Sequence, residues 1–213
     1  MSQLATLANT QSGVVGGGQF GYNFQVGPNW VIGFETDIQG SGSRGASSGG
    51  GGGAVGGGAA QQVAIGGMSV SAGLDYIGTA RARVGYLLSP AMLVYLTGGL
   101  TYGGAYANVT TNANVGWRIG SLGFSQTYFG GGQQSQTLAG WNVGGGVEWM
   151  VAPGWSLKAE SIYWNLGNLN TPTASFGSAG GVAGAVFGAT QVNYQGVMAR
   201  VGVNYHTSWL PGL

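Results

Sequence analysis

The sequence has no cysteine, which excludes a disulfide framework and thiolate metal sites and leaves the compartment open. Charge is nearly as scarce. Six Lys and Arg and five Asp and Glu make up 5% of the 213 residues, against about 25% in an ordinary soluble domain. At a net charge of +1, nothing recommends a polyanionic partner, and base stacking on aromatics would lack its basic groove. The single histidine, His206, lies near the end of the chain, so no Ser-His-acid relay can be placed around an internal site. No apolar run reaches the roughly 18 residues of a membrane-spanning helix. Met1 to Thr10, MSQLATLANT, lacks the basic start and apolar stretch of a signal peptide. The expectation is that the signal has been removed or that the chain is a fragment. A surface this poor in charge would make a water-soluble protein prone to association, whereas a surface that meets lipid has no need of charge.

What the chain has instead is glycine, 47 residues, and 44% apolar residues, set in strict alternation. The clearest stretch is Trp141 to Trp164, WNVGGGVEWMVAPGWSLKAESIYW. It reads as two strands about the turn Val151-Ala152-Pro153-Gly154. Asn142 and Glu148 share a parity opposite Val143, Val147 and Trp149; Lys158 and Glu160 share one opposite Leu157, Ala159 and Tyr163. Successive side chains of a strand point to opposite faces, so the hairpin has one charged face and one apolar face.

The same pattern recurs along the chain. Val14 to Gln25 sets Val14, Phe20, Tyr22 and Phe24 against Gln19, Asn23 and Gln25, and Trp30 to Gln39 sets Ile32, Phe34, Thr36 and Ile38 against Glu35, Asp37 and Gln39. Leu74 to Leu87 sets Tyr76, Ala80, Ala82, Val84 and Tyr86 against Asp75, Thr79, Arg81 and Arg83. In Met92 to Tyr102, Val94, Leu96, Leu100 and Tyr102 oppose Tyr95, Thr97 and Thr101; in Tyr194 to Tyr205, Val197, Ala199, Val201, Val203 and Tyr205 oppose Arg200 and Asn204. Seven strands are visible. Short turns at 26–29, 88–91 and 151–154 alternate with long Gly-rich connections at 40–73, 103–138 and 165–193, read as external loops, with parts of 103–138 extending the flanking strands. Residues 1–12 read as a loop or remnant and 206–213 as a tail. Strands of about 10 residues joined by alternating short and long connections mark a transmembrane β-barrel, its short turns on the periplasmic side. The fold class expected is all-β, an antiparallel up-and-down barrel of the eight-stranded type, as one domain.

The charges obey the same parity. Glu35, Asp37, Asp75, Glu148, Glu160, Arg81, Arg83, Lys158 and Arg200 all fall on the polar face of a strand, and only Arg44 and Arg118 fall in connections. A charge on the lipid face near the bilayer midplane would cost about 2–4 kcal/mol for Arg or Lys, which gives their absence there a cause. The nine are expected to line the interior as an ion-pair network. The apolar faces carry two belts of aromatics. Phe24, Trp30, Tyr86, Trp149, Trp155 and Tyr205 lie near the short turns, and Tyr76, Tyr102, Trp141 and Tyr163 near the long connections, as the interfacial girdles of a barrel would.

Four segments carry a family resemblance. GTARARVGYLLSPAMLVYLTGGLTYG, GWNVGGGVEWMVAPGWSLKAESIYW, ARVGVNYH and GQFGYNFQVGPNWVIGFETDIQGSG resemble, in order and spacing, the small outer-membrane β-barrels of bacterial surface antigens. These are the outer-membrane immunogenic and opacity-like proteins related to the OmpA barrel. The resemblance implies an eight-stranded barrel in the bacterial outer membrane. Family members are described as structural antigens, adhesins, weak porins or haem-binding proteins, so it does not fix an activity. The chain departs from the pattern twice. Its first strand looks like the family's second, and it runs past Tyr205 into His206-Thr207-Ser208-Trp209-Leu210-Pro211-Gly212-Leu213.

The expected function is therefore a structural outer-membrane barrel or surface antigen with a plugged lumen, no catalytic or metal residues and no cofactor. A small porin-like pore and a barrel binding haem or an adhesion partner are the alternatives; a soluble β protein is a third, separated by its not needing detergent. Expected partners are outer-membrane lipid and a second copy or partner chain completing the sheet. The last strand and Val14 to Gln25 run the same way, so direct closure between them would be parallel. An open edge, an added partner or recruitment of residues 1–10 as a short strand is expected there.

Overall fold

The computed structural model describes residues 13–57, 60–179 and 182–206. Eight strands follow one another: β1 (Val15–Val26), β2 (Trp30–Ser41), β3 (Arg44–Gly57), β4 (Ala60–Ser89), β5 (Met92–Ile119), β6 (Leu122–Ala152), β7 (Trp155–Ala179) and β8 (Val182–Tyr205). All pairings are antiparallel, in the order β1-β2-β4-β5-β6-β7-β8, with β3 on β4. β2 lies along Tyr76 to Tyr86 of β4, and β3 along Ala60 to Gly73 of the same strand. β2 and β3 thus form one column, and the eight strands make a wall seven columns wide. This is the all-β, up-and-down architecture of a barrel. Among the described residues β1 and β8 share no backbone ladder, so the wall is open along that seam, as one of the expected outcomes had it. Residues 1–10 and the tail beyond His206 lie outside the described residues.

Tight turns at 27–29, 90–91 and 153–154 gather at one end. Gly27 and Gly154 hold the first and third of them with φ of +76° each, a conformation open to glycine and costly to residues with a Cβ. The other end corrects the sequence reading. The described residues of the segments 40–73, 103–138 and 165–193 are almost entirely strand rather than loop, which had been expected only for parts of 103–138. β3 and the first half of β4 pair from Arg44↔Gly73 to Gly57↔Ala60, β5 and β6 run on to Ile119↔Leu122, and β7 and β8 to Ala179↔Val182. Glycine loses more freedom on ordering than any other residue, which is why composition alone reads as loop. A ladder already in register extends one rung at a time, and here its extension buries apolar side chains.

That burial comes with an exchange of faces. Along β5, the odd positions point inward throughout: Thr97 and Thr101 are buried low on the strand, then Ala105, Ala107 and Val109 higher up. The even positions point outward: Leu96 and Leu100 are 73% and 68% exposed, and Asn108, Thr110, Asn112 and Asn114 continue the face in polar form. Strand β8 shows the same exchange, from outward Val197, Val201 and Val203 to outward Gln191, Asn193 and Gln195. On β4 and β7 a β-bulge completes the switch. Asp75 is the extra residue between Leu74 and Tyr76, and Leu166 the extra residue between Asn165 and Gly167, where Gly167 takes φ +80°. The wall therefore has two storeys. The lower is apolar outside and charged inside; the upper carries Asn, Gln and Thr outside, interspersed with exposed Ile65, Phe129, Phe176 and Phe187, around a core of Val70, Ala72, Leu74, Ala105, Ala107, Val109, Leu138, Leu166, Leu169, Val192 and Tyr194.

Candidate functional site

The strongest concentration of chemistry is the inner face of the lower storey. Its scaffold is the register itself. Glu35 on β2 stands opposite Arg81 on β4, and Glu160 on β7 opposite Arg200 on β8. Arg81, 1% exposed, gives one Nη2 to Glu35 Oε1 at 2.7 Å and to Asp37 Oδ2 at 3.0 Å, and its Nη1 to Glu160 Oε2 at 3.2 Å. Arg200 bonds Glu160 through Nε and reaches Asp37 at 2.9 Å and Glu35 at 3.4 Å. Lys158 stands opposite Glu148 on the neighbouring strand, yet its ammonium meets Glu35 and, at 3.3 Å, Glu160. Glu148 turns instead to Arg83 at 2.6 Å.

These contacts span the sheet. Asp37 and Arg200 belong to columns at opposite sides of the wall, and Lys158 of β7 donates to the Gln19 amide oxygen of β1 at 3.1 Å. Gln19 in turn donates to Asn204 of β8. The wall is curled until its first and last columns meet through side chains. Tyr95 closes the centre: its hydroxyl donates to Glu160 at 3.1 Å, and the Arg83 guanidinium stacks 4.2 Å from its ring centroid, an attraction that strengthens when water is excluded. Glycines make room for this crowd. A Cβ on Gly146 would stand 2.6 Å from the Tyr95 hydroxyl, and one on Gly33 would stand 2.3 Å from the Asn23 amide oxygen and 3.0 Å from Arg83 Cγ.

Eight of the nine expected charges are brought together: Glu35, Asp37, Glu148, Glu160, Arg81, Arg83, Lys158 and Arg200. Asp75 is not one of them. Simple alternation put it beside Arg81, but the bulge at Asp75 breaks the alternation, and its side chain is exposed. The network also includes uncharged residues and His206, which lay outside the expected charged set. Thr79 donates to Asp37 at 2.7 Å, Ser156 to Glu148 at 2.5 Å and Asn204 to Glu148 at 3.0 Å, and His206 lies 3.1 Å from the same carboxylate. Each shares the parity of a charged neighbour on its own strand, which was the available signal. Ser156, His206 and Glu148 do meet, with Ser156 Oγ 2.9 Å from His206 Nε2. Serine and carboxylate both approach that one ring nitrogen, however, whereas a relay needs them on the two different nitrogens.

The ten aromatics expected as belts all lie on the outer face. Trp30 and Tyr86 stack edge-on at 5.3 Å, and Trp155 and Tyr205 lie at 4.9 Å, both beside the tight turns with Phe24 and Trp149. Trp141 and Tyr163 pair at 5.5 Å at the upper limit of the apolar band, where Tyr76 and Tyr102 also stand. Eight residues separate Trp141 from Trp149, about 27 Å along the strand.

No family model and no solved structure matches the chain. Two known proteins do. The 31 kDa outer-membrane immunogenic protein of Brucella melitensis biotype 1 is 34% identical over 202 residues, covering 94% of this chain and 69% of that protein. The protein of the same name from Brucella suis biovar 1 matches with the same identity and coverage.

Proposed function

The chain belongs to the family of the 31 kDa outer-membrane immunogenic proteins, and from that premise we propose that it is a structural outer-membrane barrel with a plugged lumen that carries its upper storey outside the bilayer. The outward apolar band of the lower storey is its lipid-facing surface, and the two belts of Trp, Tyr and Phe seat it at the two interfaces. Outer-membrane lipid is then its principal partner. The edges of β1 and β8 run in the same direction, and unpaired N–H and C=O groups are too costly in hydrocarbon. A strand antiparallel to both edges, from residues 1–10, a second copy or another chain, is what this seam calls for.

The observation that carries the plugged reading is the ion-pair cluster. Four cations, Arg81, Arg83, Lys158 and Arg200, face four carboxylates, Glu35, Asp37, Glu148 and Glu160, and all eight side chains are at most 13% exposed. Barrels of about eight strands are just wide enough for side chains to fill them. Paired and filled in this way, the interior leaves no continuous path for ions, and the reading assigns it no reaction. Planar-bilayer recording of the purified chain tests it. Silence is expected. Steady channels whose ion selectivity changes with Arg81→Ala would overturn the plugged reading in favour of a pore.

A further inference from the structure

We propose that the outer face of the upper storey binds a neutral saccharide, that of the lipopolysaccharide anchored in the same membrane, in a glycine-floored groove with an aromatic shelf beside it. The register lines up the parts. Gly50 of β3 stands opposite Gly67 of β4, Gly67 opposite Asn112 of β5, Asn112 opposite Phe129 of β6 and Phe129 opposite Phe176 of β7. One row across five strands thus passes from bare backbone through an amide to two phenyl rings. Over its first half lies a groove of about 340 Å³, lined by Ser48, Gly50, Gly67, Ser69, Thr110 and Asn112. That is at the lower end of the volumes that hold small ligands, roughly 300–1,000 Å³. The floor requires glycine, because a Cβ on Gly67 would stand 2.7 Å from Asn112 Oδ1. The Gly67 amide donates to that oxygen at 2.8 Å, which fixes the side chain and leaves its Nδ2 to donate. Over the second half, Phe129 and Phe176 are 64% and 61% exposed, and Phe187 of β8 meets Phe176 edge-on at 6.3 Å.

The chemistry of the row selects the ligand. Ser, Thr and Asn side chains each offer a donor and an acceptor, as the hydroxyls of a sugar do. A phenyl face is negative and attracts the positively polarised C–H groups that one face of a pyranose presents. The row itself is uncharged, and the three charges outside the lower interior stand away from it. Arg118 lies six residues along β5 from Asn112, Arg44 six along β3 from Gly50, and Asp75 eight along β4 from Gly67. An anionic ligand would find no counter-charge there. A peptide strand would need an open sheet edge, whereas Gly67, Asn112, Phe129 and Phe176 are each paired on both sides. The source follows from position, and this step rests on the reading that carries the upper storey outside the bilayer. Phe129 stands twelve residues above Trp141 of the upper belt, about 40 Å along the strand, among the saccharide chains that the outer leaflet of such a membrane carries. A ligand anchored in the same membrane is held at high effective concentration, so a shallow site suffices to engage it.

The test uses detergent-folded protein, checked by its heat-dependent shift in gel migration, and the polysaccharide that mild acid releases from the producing bacterium's own lipopolysaccharide. Saturable binding is expected, with amide resonances shifted at Gly67, Asn112, Phe129 and Phe176. Phe129→Ala with Phe176→Ala is expected to weaken it at least about tenfold, the loss of two ring contacts, and Asn112→Ala to weaken it as well. Phe20→Ala, a comparably exposed ring of the lower storey, is expected to leave it unchanged. Absence of binding to the folded wild-type chain overturns the proposal. So does binding that shifts no resonance in the row, or that Phe20→Ala weakens as much as the paired variant does. Preference for heparin overturns the neutral ligand, and preference for a desialylated N-glycan overturns the assignment to the outer leaflet. The placement is read separately. The chain has no cysteine of its own, so Asn114→Cys in intact cells takes up a membrane-impermeant maleimide if the upper storey stands outside. Labelling without polysaccharide binding discards the saccharide site alone; failure to label discards the placement and this source with it.

Discussion

Arg81 is the residue on which the lower interior converges. It holds three carboxylates from two strands at 2.7 to 3.2 Å, and it is 1% exposed. Removing one partner of a buried ionic cluster strands the others, at a cost of about 3–5 kcal/mol. Arg81→Ala should lower the urea midpoint of the detergent-folded protein accordingly, whereas exposed Arg44→Ala should stay within about 0.5 kcal/mol; equal effects would show that Arg81 is no keystone. A second residue-scale prediction lies on the outer face. Gly78 pairs with Tyr102, and Tyr76 with Gly104, each ring lying over the glycine opposite. A Cβ on Gly78 would come 2.4 Å from the Tyr102 ring. Gly78→Ala must displace that ring and should cost about 1–3 kcal/mol. Gly18→Ala, where a Cβ meets nothing within 4 Å, should be close to neutral by the same denaturation measurement.

At the scale of the strand, the bulges decide which face is which. Gly167, at φ +80°, carries β7 from one alternation to the other. Gly167→Ala would place a Cβ in the left-handed region, at about 1–3 kcal/mol, and Gly167→Asn should cost less, because Asn tolerates that region better. Thermal midpoints of the two variants should fall in that order. The paired hairpins make a further claim against the loop reading. Phe124, Phe129, Phe176 and Phe187 are exposed, and a protease selective for aromatics would find them at once in flexible loops. Set in strands, they should resist chymotrypsin at doses that digest the urea-unfolded chain. Rapid cleavage at those four positions would return the segments to loops.

The whole molecule has two interiors of opposite character, one ionic and one apolar, stacked along the same strands. Their buried clusters are made of different residues, and damage to one should spare the other. Val70 is 3% exposed within the apolar cluster, and an unpaired carboxylate there cannot be accommodated. Val70→Asp should make the upper hairpins protease-sensitive while the lower storey keeps its heat-dependent shift in gel migration. Loss of that shift would mean that the two storeys fold as one unit.

Alternation and charge placement determined the class of fold, the seven columns, the end at which the tight turns gather and eight of the nine interior charges, because side-chain parity along a strand is a local property with a period of two. Parity even marked Tyr95, Thr79 and Asn204 as belonging to the charged side. What parity could not show was where it breaks. Asp75 and Leu166 are ordinary residues in ordinary contexts, and each becomes the extra residue of a bulge only because the neighbouring strand is in a given register. Tertiary structure alone made strands of the glycine-rich segments, since glycine has no preference that survives its entropy loss and the driving burial of Ala107, Val109 and Val192 lies on strands distant in sequence. It also decided that Lys158 bypasses the carboxylate facing it on the next strand, Glu148, for Glu35 across the interior. That choice depends on how far the wall curls, and curl is a property of the whole sheet rather than of any stretch of chain.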